Sequence, residues 1–462
     1  MIKIHSKKRK KGVILLILLI ATILPPLDFY IVNLALSSIQ KGLNTTAGQL
    51  QMIVSFYTCA YAVFQITGGR LGDLFGRKRM FMLGLFGFIM ASMICGLATN
   101  PMIIITGRII QGISGAVMGP QILAIIHISF SEKEKPRVMA LYSFTFGLAA
   151  VLGQYIGGWL IFHDIGGLGW RIIFLMNVPI GLSALIGAVF MLPDESKRLK
   201  ESIDVFGIIL LSLTLGLIVY PLTLLSGEGW TISIIAMLLS SIVFLISFIS
   251  YEKRITVKGK TPLVNMSVFR HKNLSIGSIV AFLFYCSGIF YLGLGIYLQE
   301  DQHWNPLDAG TAIIPFGIGF VLSSLASPYV IKKVGDYSLN IGLLSYALGL
   351  SCIIYGISLP EPTSYLFYSG LFLSGCGMGF TLSSIVRISL SGIPFKFAGL
   401  ASGVINCSLQ IGSAIGVAGI GSIFFALSEE RGYGYSFQIS LLFVVVLLIS
   451  ACFLSLLITK KK

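Results

Sequence analysis

Two charged residues, Asp28 and Arg108, stand alone inside long apolar stretches of the sequence. Asp28 is the only acid predicted at membrane depth. An ionised side chain costs at least about 3 kcal/mol there, so Asp28 is a candidate for function. A neighbouring guanidinium favours the ionised carboxylate, whereas burial favours the neutral acid. The pattern therefore predicts that Asp28 gains and loses a proton, with Arg108 as the partner that returns it to the ionised state.

The positions of these two residues along their helices allow contact between them. With a rise of about 1.5 Å per residue, Arg108 lies roughly 10 Å and Asp28 roughly 16 Å below the predicted outer ends of their helices. The two side chains can therefore share one cavity. Tyr30, Asn33 and Gln111 stand close to them in the sequence and are predicted to line this substrate cavity.

The sequence around Asp28 leaves structural alternatives open. Pro25 and Pro26 remove two backbone donors just before it, so we expect the helix to break or kink there and to leave free carbonyls near the same depth. Asp28 could instead be a protonated, hydrogen-bonded acid that serves helix packing. A pairing of Asp28 with Arg108 could also be permanent and purely structural.

A short basic turn, G-R-L-G-D-L-F-G-R-K-R at 69–79, lies between two apolar stretches. Gly69 and Gly76 permit a tight turn and close approach of the two helices. Asp73 can pair with a basic partner or with a helix amino end, and Arg77 and Lys78 hold the turn at the membrane surface. We predict that these five residues form a cytoplasmic gate; the alternative is a basic turn that only sets topology.

Four residues of a later stretch are predicted to form a helix-packing surface: Gly153, Gln154, Gly157 and Gly158. Glycines at this spacing let the backbones of neighbouring membrane helices pack closely. The segment therefore indicates a helix in tight contact with another helix.

These residues must be positioned by membrane helices, because the composition does not fit a soluble protein. Hydrophobic residues make up 55% and charged residues 11% of the 462 residues, whereas a soluble domain carries roughly a quarter charged residues. Apolar stretches of about 20 residues, long enough to cross a hydrocarbon layer about 30 Å thick, recur along the whole chain. We therefore predict an all-α integral membrane protein with about fourteen transmembrane helices. The predicted spans are 13–39, 50–69, 80–99, 101–127, 138–162, 171–192, 204–226, 231–251, 274–298, 309–331, 339–359, 364–386, 397–427 and 437–459.

The basic residues indicate how these helices are oriented. Of the 33 Lys and Arg residues, 29 fall in segments predicted on one side, three fall on the other, and Arg108 lies within a helix. Cytoplasmic loops carry such an excess of basic residues, so we predict a multi-pass protein of the cell membrane with both termini in the cytoplasm. The net charge of +15 then reflects orientation and attraction to lipid head groups rather than nucleic-acid binding.

The sequence contains no recognisable catalytic or metal-binding pattern. Its seven cysteines all lie in apolar stretches, without a CxxC pair or a histidine at ligand spacing. Segment 254–261 ends like a phosphate-binding loop, but Arg254 occupies the position of the required first glycine and no strand precedes it. We therefore predict no metal, no ATP hydrolysis, no cofactor and no enzymatic activity.

Several of these stretches resemble motifs of the major facilitator superfamily. The turn at 69–79 resembles its G-x-L-x-D-x-x-G-R-K signature, and 108–112 resembles its R-x-x-Q-G motif, which is associated with proton coupling. Segments 27–36 and 170–181 resemble L-D-x-x-x-x-N-x-A-L and W-R-x-x-F-x-x-N-x-P-x-G, elements of the fourteen-helix drug:proton antiporters of this superfamily. Segment 153–158 is similar to the antiporter pattern G-P-x-x-G-G, with Gln154 in place of the proline.

The resemblance implies two six-helix bundles with two extra helices inserted between them. The corresponding boundaries are a basic cytoplasmic tail at 1–12, a bundle at 13–192, a linker with the extra helices at 193–258, a second bundle at 259–459 and a basic cytoplasmic C-terminus at 460–462. Substrate is expected at the bundle interface, with alternating access driven by the proton gradient. We expect a monomer in the lipid bilayer that exports small amphipathic or lipophilic molecules such as drugs, dyes and monovalent cations.

Other functions stay open at this point. The chain could transport one specific metabolite, peptide or siderophore instead of many drugs. A membrane enzyme or sensor without transport activity is less favoured, because no catalytic constellation is visible and no soluble domain is attached. Because Gln154 replaces the motif proline, the direction of transport is less firmly implied than the fold.

Overall fold

The computed structural model describes residues 2–131, 133–193, 203–258, 261–359, 365–393 and 398–459. Within these ranges every regular element is a helix, and no strand occurs. The predicted basic C-terminus at 460–462 and positions 194–202 of the predicted linker lie outside the described residues. The α-helices are α1 (Ile2–Leu43), α2 (Ala47–Phe75), α3 (Arg77–Gly96), α4 (Pro101–Ser129), α5 (Lys135–Phe162), α6 (Ile172–Leu175), α7 (Asn177–Met191), α8 (Val205–Glu228), α9 (Ile232–Val257), α10 (Lys272–Tyr285), α11 (Ile289–Ile296), α12 (Pro306–Ala312), α13 (Ile314–Val334), α14 (Ser338–Ile357), α15 (Tyr365–Ser389) and α16 (Ala398–Ser455).

Twelve helical segments of the described chain are long and apolar enough to cross a membrane. Two of them, Pro306–Ile357 and Gly399–Ser455, are 52 and 57 residues long. The first is interrupted by a 3-10 turn at Gly335–Tyr337, and the second by Gly432, whose φ of 81° is not helical. The prediction of an all-α integral membrane protein is confirmed, and the number of fourteen crossings stays a prediction.

The helices pack in two groups that follow the order of the chain. In the first half (α1 to α7), α2 and α3 pack on α4, and α1 packs on α5 and α7. In the second half (α10 to α16), α13 and α14 pack on α15, and α10 packs on α16. The predicted domain boundaries themselves are not tested by this packing and stay predictions.

The helix pair α8–α9 lies between the two halves in sequence and attaches through α8. Gln51 Nε2 of α2 donates to Ser226 Oγ of α8 at 3.5 Å. Ser422 Oγ of α16 lies 3.1 Å from Gln51 Oε1 and also donates to the carbonyl of Leu222 in α8. α8 is therefore bonded to both halves, whereas only 17% of the most apolar 18-residue stretch of α9 is buried.

α1 and α9 differ from the predicted helices. α1 does not break at Pro25 and Pro26 but runs through both, because a helix within a membrane bundle tolerates prolines when its neighbours supply other polar contacts; Tyr57 OH of α2 donates to the Pro25 carbonyl at 3.3 Å. A kink at this point stays a prediction. α9 is longer than the predicted span at 231–251, whereas the prediction that Asp28 is the only acid at membrane depth stays a prediction. α9 continues beyond its predicted end at 251 and includes Glu252, which is completely buried.

Candidate functional site

The side chains of Asp28 and Arg108 meet inside the first half, between α1 and α4. Arg108 Nη1 donates a hydrogen bond to Asp28 Oδ2. Asp28 Oδ1 accepts hydrogen bonds from Asn177 Nδ2 of α7 at 2.9 Å and from Gln111 Nε2 of α4 at 3.1 Å. None of the four side chains is more than 1% exposed. One guanidinium and two neutral amides therefore surround the carboxylate in a site removed from solvent.

Further contacts fix the Arg108 side chain. Its Nε donates to the carbonyl of Ile53 at 3.0 Å, and Nη1 also donates to Gln111 Oε1 at 2.8 Å. The guanidinium carbon lies 4.0 Å from the ring centroid of Tyr57, a cation–π contact worth about 2 kcal/mol when it is desolvated. Nη2 has no hydrogen-bond partner in the part of the chain that the structure describes.

The charge balance of this network depends on the protonation state of Asp28. With Asp28 ionised, the pair carries no net charge; with Asp28 protonated, Arg108 keeps a positive charge in a site of 0% exposure. An uncompensated buried charge is unfavourable by several kcal/mol. The role of the pair in proton coupling stays a prediction; besides Asp28, the guanidinium has Gln111 Oε1 and the Ile53 carbonyl as acceptors.

The next two residues of α1 face the second half. The ring centroid of Tyr30 lies 4.9 Å from that of Tyr291 in α11, and Phe29 lies 6.2 Å from the same ring. Tyr291 in turn contacts Phe290 at 5.1 Å and Phe316 at 5.7 Å. We call these five residues the aromatic cluster. The cluster lies at the interface between the halves, and two of its members, Phe29 and Tyr30, directly follow Asp28 in the sequence.

The structure brings together some of the predicted site residues and separates others. Gln111 lies with Asp28 in the buried network, whereas Tyr30 lies in the aromatic cluster. Asn33, one turn further along α1, donates from Nδ2 to the carbonyl of Phe29 at 2.7 Å, and its backbone oxygen lies against Gly295 of α11. The roles of these residues in coupling and in the substrate cavity stay predictions.

Sequence reasoning missed three side chains that complete the network. Asn177 belongs to the recognised segment at 170–181, and its amide in an otherwise apolar span was an available signal. Ser92 Oγ of α3 accepts from Gln111 Nε2 at 2.8 Å, but nothing in the sequence distinguishes it from the other serines in apolar spans. Tyr57 has no sequence signal of its own; only the packing of α2 places its ring beside the guanidinium of Arg108.

The predicted gate lies at the turn from α2 to α3. Gly76 has a φ of 100°, which favours glycine, and its amide donates to the Gly72 carbonyl at 2.9 Å. Asp73 Oδ1 lies 3.4 Å from Arg77 Nη2 in a partly exposed pair. Lys78 Nζ donates to a backbone carbonyl of α7 at 2.9 Å. We call the end of the bundle with this turn the basic end.

Close helix approach near the gate involves Gly68 and Gly72 rather than Gly69. A Cβ atom on Gly68 would lie 2.2 Å from the Ala116 carbonyl oxygen, and one on Gly72 would lie 1.9 Å from Gln121 Oε1. A Cβ atom on Gly69 would meet nothing closer than 3.8 Å. Gln121 Nε2 also donates to the Gly68 carbonyl at 2.6 Å, so α2 and α4 are joined directly behind the turn.

The predicted packing surface of α5 faces two helices. Gly153 and Gly157 lie against α1, whereas Gly158 and the backbone of Gln154 lie against α12. A Cβ atom on Gly157 would lie 2.4 Å from a side-chain atom of α1, and one on Gly158 would lie 2.2 Å from the carbonyl oxygen of Pro306. α5 therefore contacts the second half at the end of the bundle that contains the α1–α2 turn at residue 44, which we call the far end.

The halves also touch through α1 at the far end. Gln299 Nε2 donates to the Leu34 carbonyl at 2.8 Å, and Lys41 Nζ forms an ion pair with Glu300 Oε1 at 2.8 Å. Together with the contacts of α5 and α12, these bonds join the two halves at this end. Among the described residues, no group of three or more His, Cys, Asp or Glu side chains is arranged to hold a metal ion.

Comparison with known sequences places this geometry in a family. Residues 18–417 match the family model of the Major Facilitator Superfamily. The chain is 33% identical over 416 residues to the probable actinorhodin transporter of Streptomyces coelicolor, covering 89% of this chain and 72% of that protein. It is 30% identical over 415 residues to the tetracenomycin C resistance and export protein of Streptomyces glaucescens, covering 88% and 74%. It is 27% identical over 432 residues to the methylenomycin A resistance protein of Bacillus subtilis, covering 92% and 90%.

Solved structures with low sequence identity share the fold. A peptide transporter POT in complex with sulfate has a TM-score of 0.68 at 14% identity, covering 97% of this chain and 96% of that chain. The nucleoside transporter NupG has a TM-score of 0.67 at 12% identity, covering 96% and 99%. The resemblance seen in the sequence motifs is thereby confirmed. This chain belongs to the major facilitator superfamily and is a membrane transporter rather than an enzyme.

Proposed function

We propose that this chain exports small aromatic and lipophilic compounds in exchange for protons. The observation that carries the proposal is the buried network in which Asp28 is paired with Arg108 inside a candidate membrane span. Ionisable pairs are retained at such depth mainly where a proton or an ion passes. The proton gradient across the cell membrane is then the energy source, and the transport cycle requires no cofactor.

α1 supplies the connection between proton and substrate in this proposal. Asp28 faces the first half, while Phe29 and Tyr30 face the aromatic cluster at the interface. A shift of α1 that follows protonation of Asp28 therefore displaces rings at the interface. The same helix carries the far-end contacts of Leu34 and Lys41, which must break before a substrate can leave at that end.

The chemistry of the aromatic cluster supports planar aromatic substrates. Offset or edge-to-face ring contacts contribute about 0.5–1.5 kcal/mol each beyond the burial of area. The names of two relatives refer to transport of actinorhodin and export of tetracenomycin C, which is consistent with this class. Asp28 is already paired with Arg108, so the network offers no surplus negative charge to a substrate, and neutral compounds and monovalent cations are expected to be exported better than divalent cations.

Transport by everted membrane vesicles tests the proposal. With an imposed pH gradient, acid inside, wild-type vesicles should accumulate a fluorescent monovalent aromatic cation and should release it when a protonophore collapses the gradient. A matched divalent cation is the control for charge and should accumulate poorly. Accumulation that persists without the gradient contradicts proton coupling, and transport of only one compound from a broad panel points to a dedicated metabolite transporter.

We also infer fourteen crossings, with both termini in the cytoplasm. Helices of 52 and 57 residues would extend about 80 Å, far beyond a hydrocarbon layer of about 30 Å. Their interruptions at Gly335–Tyr337 and Gly432 support counting each of the two segments as two crossings. The basic end then faces the cytoplasm and the far end faces outward. Both halves belong to one chain, which supports function as a monomer.

Thiol labelling tests this topology. On a cysteine-free background, a cysteine at Glu228 should react with an impermeant reagent added outside intact cells, because it ends α8 at the far end. A cysteine at Lys258, just after α9, should react only after the membrane is permeabilised. Labelling of position 258 from outside contradicts the proposed orientation.

A further inference from the structure

Three consecutive residues between α9 and α10 are held by three charged side chains. We call these residues linker segment 262–264; it follows the predicted linker with the extra helices. Arg70 Nη2 of α2 donates to the carbonyl of its first residue, Pro262. The amide of its second residue donates to Asp204 Oδ2 at 3.1 Å, and the amide of its third donates to Glu252 Oε2 at 3.0 Å. The linker segment is thereby fixed to the first half and to the inserted helix pair at the same time.

Asp204 and Glu252 form a buried acid pair, with 7% and 0% of their surfaces exposed. An atom at the Cβ position of Gly207 would lie 2.6 Å from Asp204 Oδ2 and 2.5 Å from Glu252 Oε1, so the two oxygens flank the same point. Asp204 Oδ1 accepts from the Gly207 amide at 2.9 Å and from Tyr251 OH at 3.1 Å. Glu252 Oε1, in contrast, has no hydrogen-bond partner among the described residues.

Among the residues that the structure describes, the groups that face the acid pair do not balance two negative charges. Arg70 of α2 is the basic group that acts on the pair, and Tyr251 of α9 is its phenolic neighbour. The next two residues of α9, Lys253 and Arg254, are exposed, and the linker segment contributes only backbone groups. Two ionised carboxylates and one guanidinium would leave a net negative charge. Carboxylates that share a buried site keep a proton between them for this reason.

We propose that the acid pair binds one proton from the cytoplasm and that this proton holds linker segment 262–264 against α2. The proton lies on Glu252 Oε1, the oxygen without a donor, and is shared with Asp204 Oδ2. When it dissociates, both carboxylates are ionised, and repulsion moves one of them away from the amide that it binds. The linker segment then loses its attachment near Arg70, three residues before Asp73 of the predicted gate.

This site is separate from the network at Asp28, and it deepens the proposed function, on which its meaning for transport rests. The linker segment leads from α9 into the second half, whereas Arg70 belongs to the first half. Its attachment therefore joins the two halves at the basic end. Proton binding at the acid pair stabilises this connection, and proton loss releases it, so the cytoplasmic pH controls how readily the basic end opens.

Hydrogen–deuterium exchange in the linker segment tests the proposal on the purified full-length protein, without any transport measurement. The matched control is Glu252→Gln, because its side-chain oxygen still accepts from the linker amide and its amide donates to Asp204 as the shared proton would. As the pH is raised, linker protection in the wild type should fall at least about ten-fold relative to Glu252→Gln at the same pH, the loss expected for one hydrogen bond to a charged group. An equal pH response of the two proteins overturns the proposal.

Two further variants keep the outcome decisive. Asp204→Asn still caps α8 and leaves one acid, so its linker protection should also lack the fall seen in the wild type; if Glu252→Gln does not fold, this variant is the control. Asp28→Asn should retain the wild-type response of the linker while it loses proton-driven export. Loss of the linker response in Asp28→Asn would overturn a separate proton site. Export by Asp28→Asn together with an intact linker response would refute the proposed coupling and leave the acid pair standing.

Discussion

The ion pair between Asp28 and Arg108 permits a double-substitution test of the charge balance inside the first half. Asp28→Asn keeps the size of the side chain but leaves the guanidinium without its counter-ion at 0% exposure. Removal of one partner from a buried ion pair destabilises a protein by about 3–5 kcal/mol. Because Arg108 keeps acceptors on Gln111 and Ile53, we expect a loss in the free energy of unfolding near the lower limit, about 3 kcal/mol.

The reverse substitution and the double variant complete the test. Arg108→Gln leaves the carboxylate with its two amide donors, Asn177 and Gln111, and should destabilise to a similar degree. Asp28→Asn combined with Arg108→Gln removes both charges and keeps hydrogen-bonding groups at both positions. The double variant should regain most of the lost stability, which corresponds to a coupling free energy of at least about 3 kcal/mol.

Two measurements separate folding from coupling. The thermal unfolding midpoint of the purified protein should fall in each single variant and recover in the double variant, whereas proton-driven efflux should be absent from all three. A wild-type midpoint for Asp28→Asn would show that Asp28 is neutral in the folded protein and that the pair is not ionic. Full efflux by Asp28→Asn would show that another group carries the proton, and the charge argument would be wrong.

Four further substitutions test other parts of the molecule. Gly158→Ala places a methyl group 2.2 Å from a backbone oxygen of α12 in the second half, whereas Gly157→Ala places one 2.4 Å from a side-chain atom of α1 in the first half; only the first should open the contact between the halves at the far end to thiol reagents and slow efflux. Asp73→Asn should lower the maximal rate of vesicle uptake several-fold with little change in KM, because the residue lies at the basic end and not at the aromatic cluster. The hydrogen bond from Lys11 lowers the pKa of Glu134 to about 2 from 4.5. The pair therefore stabilises the fold fully above pH 4.5 and loses this effect as the pH falls through about 2. The difference in thermal unfolding midpoint between wild type and Glu134→Gln should accordingly vanish as the pH is lowered from 4.5 to about 2.

The membrane helices and the charge pair could be predicted because each depends on a local signal. A span needs only a run of apolar residues of sufficient length, and a charge inside such a run is conspicuous. The ends of the helices carry no such signal. α9 continues past its predicted end at 251 because backbone hydrogen bonding continues where hydropathy falls, and this extension buries Glu252.

Contacts between distant parts of the chain could not be predicted in this way. Asn177 and Ser92 reach the Asp28 network from α7 and α3, and their place depends on how the helices pack rather than on their neighbours in sequence. Asp204 and Glu252 stand at the ends of the predicted spans 204–226 and 231–251, and nothing in the sequence indicates that they share a site. Packing of α9 against α8 brings these acids together beside Gly207, and the linker segment, which also contacts α2, binds to both of them.

The position of Asp28 on α1 bears on how proton and substrate can compete. Successive residues of an α-helix point about 100° apart, so Asp28 and Tyr30 face different halves although they share one rigid backbone. A substrate at the aromatic cluster and a proton at Asp28 therefore need no common atom to influence each other. Any coupling through α1 must be reciprocal: the factor by which a substrate changes the proton affinity of Asp28 equals the factor by which a proton changes substrate affinity. Direct competition for the carboxylate would require a substrate to enter the buried network, whereas coupling through α1 requires only that the helix has two positions.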